Sequence, residues 1–518
     1  MKRSVEPART GNIRASGRPG MIGIIDIGSN SLRLVIYDGI SRSPQVLFNE
    51  KVMCGLGRGM NASGVLNPKG LPMALDNVER FVALARSLGV ERLDAIATSA
   101  VRDANDGPTF IAELKRRCGL EVEVISGDRE GQLASLGVVA GLPEADGIAG
   151  DLGGGSVELI TTGGKLPLHV ASLALGPLRL LGEGGEAAAR VEIDRELDGL
   201  EWLTQGKGRD FYAVGGAWRA IARIYMEHAG YPLHILHNYA PPLAEFERFL
   251  ELLFRQSKRS LEKLISLANK RQETLPLAAY LLHRLLGTMK PRRIVFSAYG
   301  LREGHLYDLL TERERLQDPL LCAAGRMAAA SPRFGLKPAE LMTWTEPLFA
   351  EETLIQRRWR EAAAIMSDIG WPEHPDYREE QVFMRSLRMP VPGLDHRGRV
   401  FIACALHARY GGRADAPITE SVRPLLDDDT LKQSLVLGHA LRLAYTLVGG
   451  ASGLLGEADL RRADGRLVLT VPKGMSIYTG EAVRRRLETL GRVLGCEVAL
   501  DGSDKPTVVT KLANRRRS

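Results

Sequence analysis

The chain has 518 residues, which is enough for several domains, because single hydrophobic cores rarely grow beyond about 250–300 residues. Apolar residues make up 44% and charged residues 25%, as in an ordinary globular protein, and no apolar run reaches the ~18–20 residues of a membrane helix. The net charge of +7 favours a polyanionic partner, although a solvated surface with basic ends would give the same value.

The amino-terminal residues and the cysteines bear on location. Residues 1–20 carry several basic side chains and no apolar stretch, so we predict a disordered basic tail and no secretory signal. The five cysteines are scattered and never form a CxxC pair, which argues against a disulfide framework or a zinc site. This pattern favours a reducing compartment, and we expect a cytoplasmic protein without a membrane anchor.

The first half of the chain alternates strand and helix patterns. Residues 21–53 predict a three-stranded meander in which Asp38-Gly39 is a hairpin turn. Apolar spacing after the meander predicts, in order, a helix at 70–88, a strand at 92–98, a helix near 106–118, a strand at 120–125 and a helix at about 129–141.

The second part of the chain repeats this plan and then changes character. Residues 147–175 predict another meander, with Gly163-Gly164 as its turn, and the later elements include a strand at 211–214, a strand ending at 295–296 and a helix at 301–311. Residues 318–411 are helical in spacing. The remaining elements are a helix at 430–449, a turn at Asp464-Gly465, a helix at 480–494 and a strand at 496–500.

Two segments set 125 residues apart carry the same pattern. The segment from Asp26 to Gly39 aligns without a gap on the segment from Asp151 to Gly164, with the aspartate, a glycine, a serine, a leucine and the closing glycine shared. Each copy predicts a strand, a tight turn and a second strand. One difference stands out, because Arg33 in the first copy corresponds to Glu158 in the second.

The turns of the two copies are suited to phosphate. Turns of Gly and Ser expose successive backbone N–H groups with no large side chain in the way. The candidate phosphate-binding residues are Gly28, Ser29, Asn30 and Ser31 in the first turn and Gly153, Gly154, Gly155 and Ser156 in the second. Asp26 and Asp151 precede these turns; a single aspartate there would be a turn former, but a repeated one favours a site for phosphate and a divalent cation.

Four further residues are candidates, each with a purely structural alternative. Glu158 could lie on the solvent face of its strand, and Glu130 could serve only the helix that it opens, through the helix dipole. Arg102 could be a surface arginine, or it could neutralise phosphate charge bidentately. Gly215-Gly216 follow a strand and precede a helix, which is a third turn of the phosphate-binding type.

Together these motifs resemble the exopolyphosphatase and guanosine pentaphosphate phosphohydrolase family, within the superfamily of acetate and sugar kinases, Hsp70 and actin. The resemblance spans about residues 21–312. It rests on 26–34, Ala97 to Arg102, Val124 to Gly127 with Glu130, 151–158, Gly215-Gly216 and Gly300 to Gly304. It implies catalytic roles for Glu130 and Glu158, Mg²⁺ and phosphate positions for Asp26 and Asp151, and phosphate contacts for Arg102 and the glycine turns.

The chain departs from the family in two places. Arg129 stands where the family usually has the first of two consecutive glutamates, and Glu130 matches the second. The region after residue 312 is similar to the family's HD-phosphohydrolase-like domain, but its metal motif has lost its histidines. Residues 366–370 stand where His-Asp-Ile-Gly would be, and residues 408–411 stand where Arg-Tyr-His would be, whereas Asp368 and His374 remain. Without imidazole ligands we expect no second active site there, and instead polyanion binding or a dimer contact.

The resulting prediction is an α/β protein with two duplicated actin-like (RNase H-like) subdomains around a cleft, a helical HD-like domain and a small α/β module. The predicted division is a tail at 1–20, subdomains at 21–142 and 143–312, the helical domain at 313–425 and the module at 426–518. The predicted activity is Mg²⁺-dependent release of terminal phosphate from inorganic polyphosphate, by a homodimer with no specific nucleic-acid partner. Guanosine pentaphosphate is the alternative substrate, and a guanosine tetraphosphate ligand, a kinase activity or a non-catalytic regulator are lesser alternatives.

Overall fold

The computed structural model describes residues 20–164, 168–180, 185–255, 274–463, 465–472 and 479–501. The chain forms two compact units. The first comprises Met1–Tyr225 and Ala240–Leu316, and the second comprises Met226–Tyr239 and Gln317–Ser518. Within the described ranges, no helix combines the length and the apolar character that crossing a bilayer requires.

The first half of the first unit is a mixed sheet with helices. Its strands are β1 (Ile22–Ile27), β2 (Ser31–Tyr37), β3 (Val46–Met53), β4 (Arg92–Ala97) and β5 (Glu123–Val124). Its helices are α1 (Met60–Ser63), α2 (Gly70–Ser87), α3 (Ser99–Asp103), α4 (Gly107–Cys118) and α5 (Gly127–Gly141). Helix α2 buries Ala74, Leu75, Val78, Phe81 and Val82, whose spacing of three and four places them on one face.

The second half of this unit repeats the arrangement. Its strands are β6 (Gly147–Leu152), β7 (Val157–Thr162), β8 (Val170–Leu173), β9 (Asp210–Gly215) and β10 (Arg293–Phe296). Its helices are α6 (Pro177–Leu180), α7 (Gly185–Asp198), α8 (Gly216–His228, whose last residues belong to the second unit), α9 (Leu243–Arg255), α10 (Leu275–Met289), α11 (Leu301–Asp308) and α12 (Glu312–Arg315).

The two sheets have the same topology. The first has the strand order β3-β2-β1-β4-β5 and the second β8-β7-β6-β9-β10, so each strand has a counterpart in the other half. The register is also repeated, because Asp26 lies opposite Arg33 across β1 and β2, and Asp151 lies opposite Glu158 across β6 and β7. The duplication read from the sequence therefore extends to the pairing of individual residues.

The second unit is mainly helical with one small sheet. Its helices are α13 (Pro319–Ala329), α14 (Pro338–Thr345), α15 (Leu354–Ile365), α16 (Arg378–Arg388), α17 (His396–Tyr410), α18 (Pro417–Glu420), α19 (Asp428–Val448) and α20 (Glu481–Leu494). Its strands are β11 (Asp459–Ala463), β12 (Arg466–Thr470) and β13 (Glu497–Asp501). A single hydrophobic core contains residues from most of this unit, from Leu320 near its beginning to Leu500 near its end.

Several elements differ from the sequence predictions. The connection after β2 covers residues 38–45, and a bond from Asp38 N to Gln45 O closes it, so Asp38-Gly39 is not a two-residue hairpin turn. Helix α3 was not predicted, and α11 ends at Asp308, three residues before the predicted end. The core of the second unit continues across the predicted boundary at 425/426, and that division stays a prediction. The predicted basic tail and Asp464 of the predicted turn lie outside the described residues.

Candidate active site

The two glycine/serine turns lie next to each other in the first unit. The space between them is too small for a side chain at Gly155, because a Cβ there would lie 3.0 Å from Ser29 Oγ and 2.9 Å from Ser99 Oγ. Ser29 Oγ and Ser99 Oγ are themselves 2.9 Å apart. Each turn is closed by an equivalent bond, from Gly28 N to Ser31 O at 3.1 Å and from Gly153 N to Ser156 O at 2.9 Å. The two turns thus form one continuous backbone surface.

This surface has amide groups available for a ligand. Among the described residues, the backbone N–H groups of four turn residues donate no hydrogen bond: Ser29, Asn30, Gly154 and Gly155. Adjacent unpaired N–H groups make a concave anion-binding surface of the kind that holds phosphate oxygens. The sequence prediction of phosphate-binding turns is therefore geometrically sound, while phosphate binding itself stays a prediction.

The turns line a cavity of about 860 Å³ within the first unit. Strand β9 ends at Gly215 and α8 begins at Gly216, and both glycines line the cavity as well. Gly215 has φ +103°, and a Cβ there would lie 2.3 Å from the carbonyl oxygen of Leu152. A residue other than glycine at position 215 would therefore clash with the end of β6, so this third turn can approach β6 only because it contains glycine.

Two aspartates lie at corresponding positions of the cavity wall. Asp26 near the end of β1 and Asp151 near the end of β6 both line it. Burial raises the pKa of Asp151 to about 6; Arg219 opposes this shift, and the negative charge of Asp26 adds to it. Burial also raises the pKa of Asp26, against the opposing effect of Arg302, whose Nε lies 3.5 Å from an Asp26 carboxylate oxygen. Two acids that repel each other in one buried wall would gain from a nearby cation.

Glu130 lies in the first turn of α5 and also lines the cavity. Ser126 caps this helix by accepting a bond from Arg129 N, so Glu130 does take part in a regular helix start. Its side chain is nevertheless buried, and its carboxylate oxygen lies 3.4 Å from Arg102 Nη1. The pKa of Glu130 is well above its ordinary value, because the group is buried and because Glu158 and Asp151 add negative charge.

Glu158 lies behind the cavity wall. All six residues of β7 are buried, so the alternative that Glu158 occupies a solvent face is wrong. Its Oε1 accepts a bond from Ser172 Oγ at 3.0 Å, and its Oε2 is buried without a well-formed hydrogen bond among the described residues. The nearby Ser156 hydroxyl lowers the pKa of this carboxyl, in opposition to burial. Burial raises the pKa of Glu158 to about 8. A buried carboxyl with one unsatisfied oxygen is typical of a site that handles protons or water.

The other predicted residues lie close to the cavity without all lining it. Arg102 donates from Nη1 to Ile125 O at 2.9 Å and reaches the cavity through Glu130. Gly155, Ser156, Arg102 and Glu158 do not line the cavity, whereas Gly28, Ser29, Asn30, Ser31, Gly153, Gly154, Gly215 and Gly216 do. The structure brings the whole predicted set into one region, and the individual roles stay predictions.

Sequence reasoning missed most of the cations of this cavity. The basic residues that line it are Arg33, Lys51, Arg58, Lys69, Arg219 and Arg302. Arg302 is in a quoted family motif, and Arg219 is one helical turn after Gly215-Gly216, so both positions carried a signal. Lys51 carried none, because it lies opposite Arg33 only in the register that the long connection at 38–45 produces.

The region similar to an HD domain lies in the second unit. Asp368, which remains from the metal motif, is paired with Arg333 Nε at 2.6 Å and with Arg409 Nη2 at 3.5 Å. His374, the other residue noted there, is exposed. Among the residues that the structure describes, no three His, Cys, Asp or Glu side chains converge as metal ligands.

Two protein-family models match the chain, one over most of the first unit and the other over most of the second. The family described as "Ppx/GppA phosphatase family" matches residues 35–313, and the one described as "Exopolyphosphatase, C-terminal" matches residues 320–500. The first match covers more than half of the chain and includes most of the cavity residues.

Three similar proteins give the range of relatives. Retrograde regulation protein 2 of Saccharomyces cerevisiae is 26% identical over 435 residues, covering 76% of this chain and 73% of that protein. Exopolyphosphatase 1 of Mycobacterium tuberculosis is 30% identical over 217 residues, covering 39% of this chain, and the match spans 63% of that relative's length. The crystal structure of an exopolyphosphatase from Cytophaga hutchinsonii is 27% identical with a TM-score of 0.51, covering 56% of this chain and 97% of that one.

Proposed function

Because the chain belongs to the Ppx/GppA phosphatase family and has its duplicated actin-like fold, we propose that it is an exopolyphosphatase. Its substrate would be inorganic polyphosphate, and it would release the terminal phosphate in the presence of Mg²⁺. The observation that carries the proposal is the meeting of two amide-lined turns with buried carboxylates in one basic cavity. The turns suit phosphate, and the carboxylates suit hydrolysis.

The cavity residues fit a magnesium ion that is shared with substrate. Mg²⁺ in phosphate-transfer sites is usually held by one or two carboxylates together with phosphate oxygens and waters. Asp26 and Asp151 supply two carboxylates whose mutual repulsion, in a buried wall, the cation would relieve. The bound cation would supply charge neutralisation at the phosphoryl oxygens.

The residues of the chain itself would divide the remaining work. The amide groups of the two turns would bind and orient the terminal phosphoryl group, and Arg219 and Arg302 would balance the acids beside it. A carboxylate oxygen of Glu130 would accept a proton from the attacking water. The raised pKa of Glu130 favours this role, because a stronger base accepts the proton more readily. The water oxygen would bond to the terminal phosphorus, and the bridging P–O bond would break, leaving a polyphosphate shorter by one unit.

Glu158 would assist from behind the wall. Its free oxygen and raised pKa make it a reservoir that can hold a proton near neutral pH. Arg102, in contact with Glu130, would stabilise the charged form of that carboxylate and the terminal phosphate. These assignments keep the residue roles that the family resemblance implies.

A row of cations supports polyphosphate as the substrate. Across the first sheet, Asp26 lies opposite Arg33, and Arg33 lies opposite Lys51, so two cations follow the aspartate toward the edge of the sheet. Adjacent strands are about 4.8 Å apart, so the row spans about two strand spacings. We call Asp26, Arg33 and Lys51 the first-half row. A chain of phosphates that extends from the terminal group could contact it unit by unit.

We further propose that the protein works in the cytoplasm as a homodimer, within the four-part division given above. The structure describes all five cysteines and joins none of them in a disulfide, which agrees with a reducing compartment. Light scattering of the purified protein tests the dimer: a mass near twice 56.6 kDa is expected, and a monomer would contradict it.

The activity is tested by measuring phosphate release from linear polyphosphate with Mg²⁺ and with EDTA. We expect Mg²⁺-dependent release, and a higher kcat/KM for polyphosphate than for guanosine pentaphosphate. A higher value for the nucleotide would move the proposal to the alternative substrate. Binding of polyphosphate without turnover, by protein whose fold is verified by circular dichroism, would reject the enzyme assignment.

A further inference from the structure

The second unit contains a group of cations on three helices, of which the middle one, α19, packs against both α17 and α20. Helices α17, α19 and α20 carry Arg409, then His439 and Arg442, and then Arg486. All four side chains are partly or fully removed from water. These residues lie outside the catalytic cavity, which is formed by residues of the first unit.

Part of this positive charge is compensated within the unit. Arg409 pairs with Asp368 at 3.5 Å, although Asp368 is also held by Arg333 at 2.6 Å. The Arg409 guanidinium also stacks 3.9 Å from the ring centre of Tyr445. Arg409 and Arg333 therefore have defined structural partners, and the former metal-motif aspartate is fully occupied by them.

Arg442 and Arg486 have no such partners. In the described part of the chain, neither guanidinium has a hydrogen-bond acceptor, and no carboxylate lies within 4.0 Å of either one. The Nε atom of Arg486 is buried without an acceptor. Glu379 is the carboxylate that acts on Arg442 from a greater distance.

Nearby positive charges lower the pKa values of Arg442 and of His439. The pKa of Arg442 is lowered to about 10, first by burial and then by the positive charges of Arg486 and Arg409. The pKa of His439 is lowered to about 4, first by burial and then by Arg442, Arg486 and Arg492. His439 is therefore neutral in the structure, and a bound anion would raise its pKa and allow it to donate from both ring nitrogens.

The C-terminal end of α17 compensates only part of the positive charge of Arg442. The Arg442 guanidinium lies against Gly411, where a Cβ would be 2.6 Å from its Nη1 and Nη2 atoms. A helix C-terminus carries about half a negative charge, so it stabilises a nearby cation weakly. Two half-buried guanidiniums with like charge nearby still lack an anion, and burying unpaired charge is costly.

We propose that Arg442 and Arg486, together with His439, form a binding site for a phosphoryl oxyanion in the second unit. A phosphoryl group suits the site because it presents several oxygens and up to two negative charges to guanidinium groups from two different helices. The ligand is either free orthophosphate or one unit of a polyphosphate chain. That pair of sources rests on the proposed function, because they are its product and its substrate, whereas the site itself does not.

The test is calorimetric titration of the full-length protein in EDTA, first with orthophosphate and separately with a linear polyphosphate. The variant is Arg442→Gln/Arg486→Gln. The matched control is Arg484→Gln/Arg485→Gln, which also removes two positive charges, both from α20, and keeps Arg442, Arg486 and His439. We expect the variant to weaken one binding event by at least about tenfold, and the control to change it little.

The two titrations separate the sources. A loss confined to polyphosphate identifies a site for the chain, and a loss also seen with orthophosphate identifies a site for the free ion. Equal isotherms for the variant and the wild-type protein would overturn the proposal, and so would equal losses in the variant and the control. Binding that depends on Arg442 and Arg486 in a protein that releases no phosphate would leave this site standing while rejecting the proposed hydrolase.

A thermal measurement guards against misfolding of the variant. Removing two unpaired like charges should leave the melting temperature in phosphate-free buffer unchanged or higher. It should also remove the upward shift that phosphate gives the wild-type protein through this site. If the double variant melts lower in phosphate-free buffer, the two arginines support the fold instead, and the proposal fails.

Discussion

The two halves of the first unit have the same topology, but they differ in charge at two of three corresponding positions. In the first half, the row across the sheet is Asp26, Arg33 and Lys51. In the second half, the corresponding row is Asp151, Glu158 and Ser172. The repeated parts, the strand ends with aspartate and the glycine/serine turns, are those that would hold the terminal phosphate and cation.

The parts that differ indicate a division of labour. At the positions that differ, the first half offers the cations Arg33 and Lys51 to the cavity, and these would bind the length of an anionic chain. The second half, with Glu130 from the preceding helix, offers buried acids with raised pKa values, which suit proton transfer. A symmetric backbone would in this way carry an asymmetric reaction, because its cross-strand positions have diverged.

The largest expected effect is from Glu130→Gln on the acidic side. Removing a positioned base should lower kcat by about 10²–10⁴ while the fold and polyphosphate binding are kept. Asp128→Asn is the matched control, because Asp128 is an exposed acid in the same first turn of α5. If both variants retain near-normal kcat, Glu130 serves only the helix start.

The repeated aspartates should behave alike, because the comparison places them in equivalent roles. We expect Asp26→Asn and Asp151→Asn each to raise the Mg²⁺ concentration for half-maximal activity by about tenfold, since each removes a carboxylate from the cation. A Mg²⁺ titration of phosphate release measures this. An unchanged midpoint in both variants would contradict the paired-aspartate site.

The outer cation of the first half should matter only for long substrates. Lys51→Gln should raise KM for long polyphosphate by a few-fold and leave KM for tripolyphosphate nearly unchanged. It should also make log KM less sensitive to log salt, by about 0.7 if the counterion behaviour of single-stranded nucleic acids applies. Arg80→Gln, an exposed position paired with Glu50, is a suitable control. Equal effects on both substrates would place Lys51 beside the terminal phosphate instead.

The smallest expected effect is the pH dependence of stability from Glu158. Its folded-state pKa of about 8 lies above the unfolded value of about 4.3, so the folded state binds the extra proton between these values. This stabilisation is fully present below the unfolded pKa and is lost as pH rises toward 8. We expect about 1–3 kcal/mol of such loss in metal-free wild-type protein, and a flatter profile in Glu158→Gln. Thermal unfolding of both proteins between pH 5 and 8 checks it, and parallel profiles would mean that Glu158 is already ionised.

Much of the cavity could be read from the sequence, because its residues belong to local patterns. The aspartate and glycine turns are short-range signals, and the repeat predicted that they would occur as a pair. The position of Lys51 could not be read in this way. A two-residue turn at Asp38-Gly39 would pair Arg33 with Pro44, whereas the eight-residue connection shifts the register so that Arg33 faces Lys51.

The second unit shows a different limit. The lost histidines of the metal motif, in 366–370 and 408–411, could be recognised locally, but no local pattern indicates that Arg333 and Arg409 both meet Asp368. The unpaired arginines on α19 and α20 are distant in sequence, and their proximity depends on helix packing. Periodicity predicts which face of a helix is buried, but not which helix lies against it.

The central claim is that corresponding positions in the two halves divide binding from chemistry. The direct test is to measure kcat and KM on long polyphosphate for Arg33→Gln and Glu158→Gln side by side. We expect Arg33→Gln to raise KM with little change in kcat, and Glu158→Gln to lower kcat with little change in KM. Loss of kcat in both variants, or a raised KM in both, would contradict the division between the two halves.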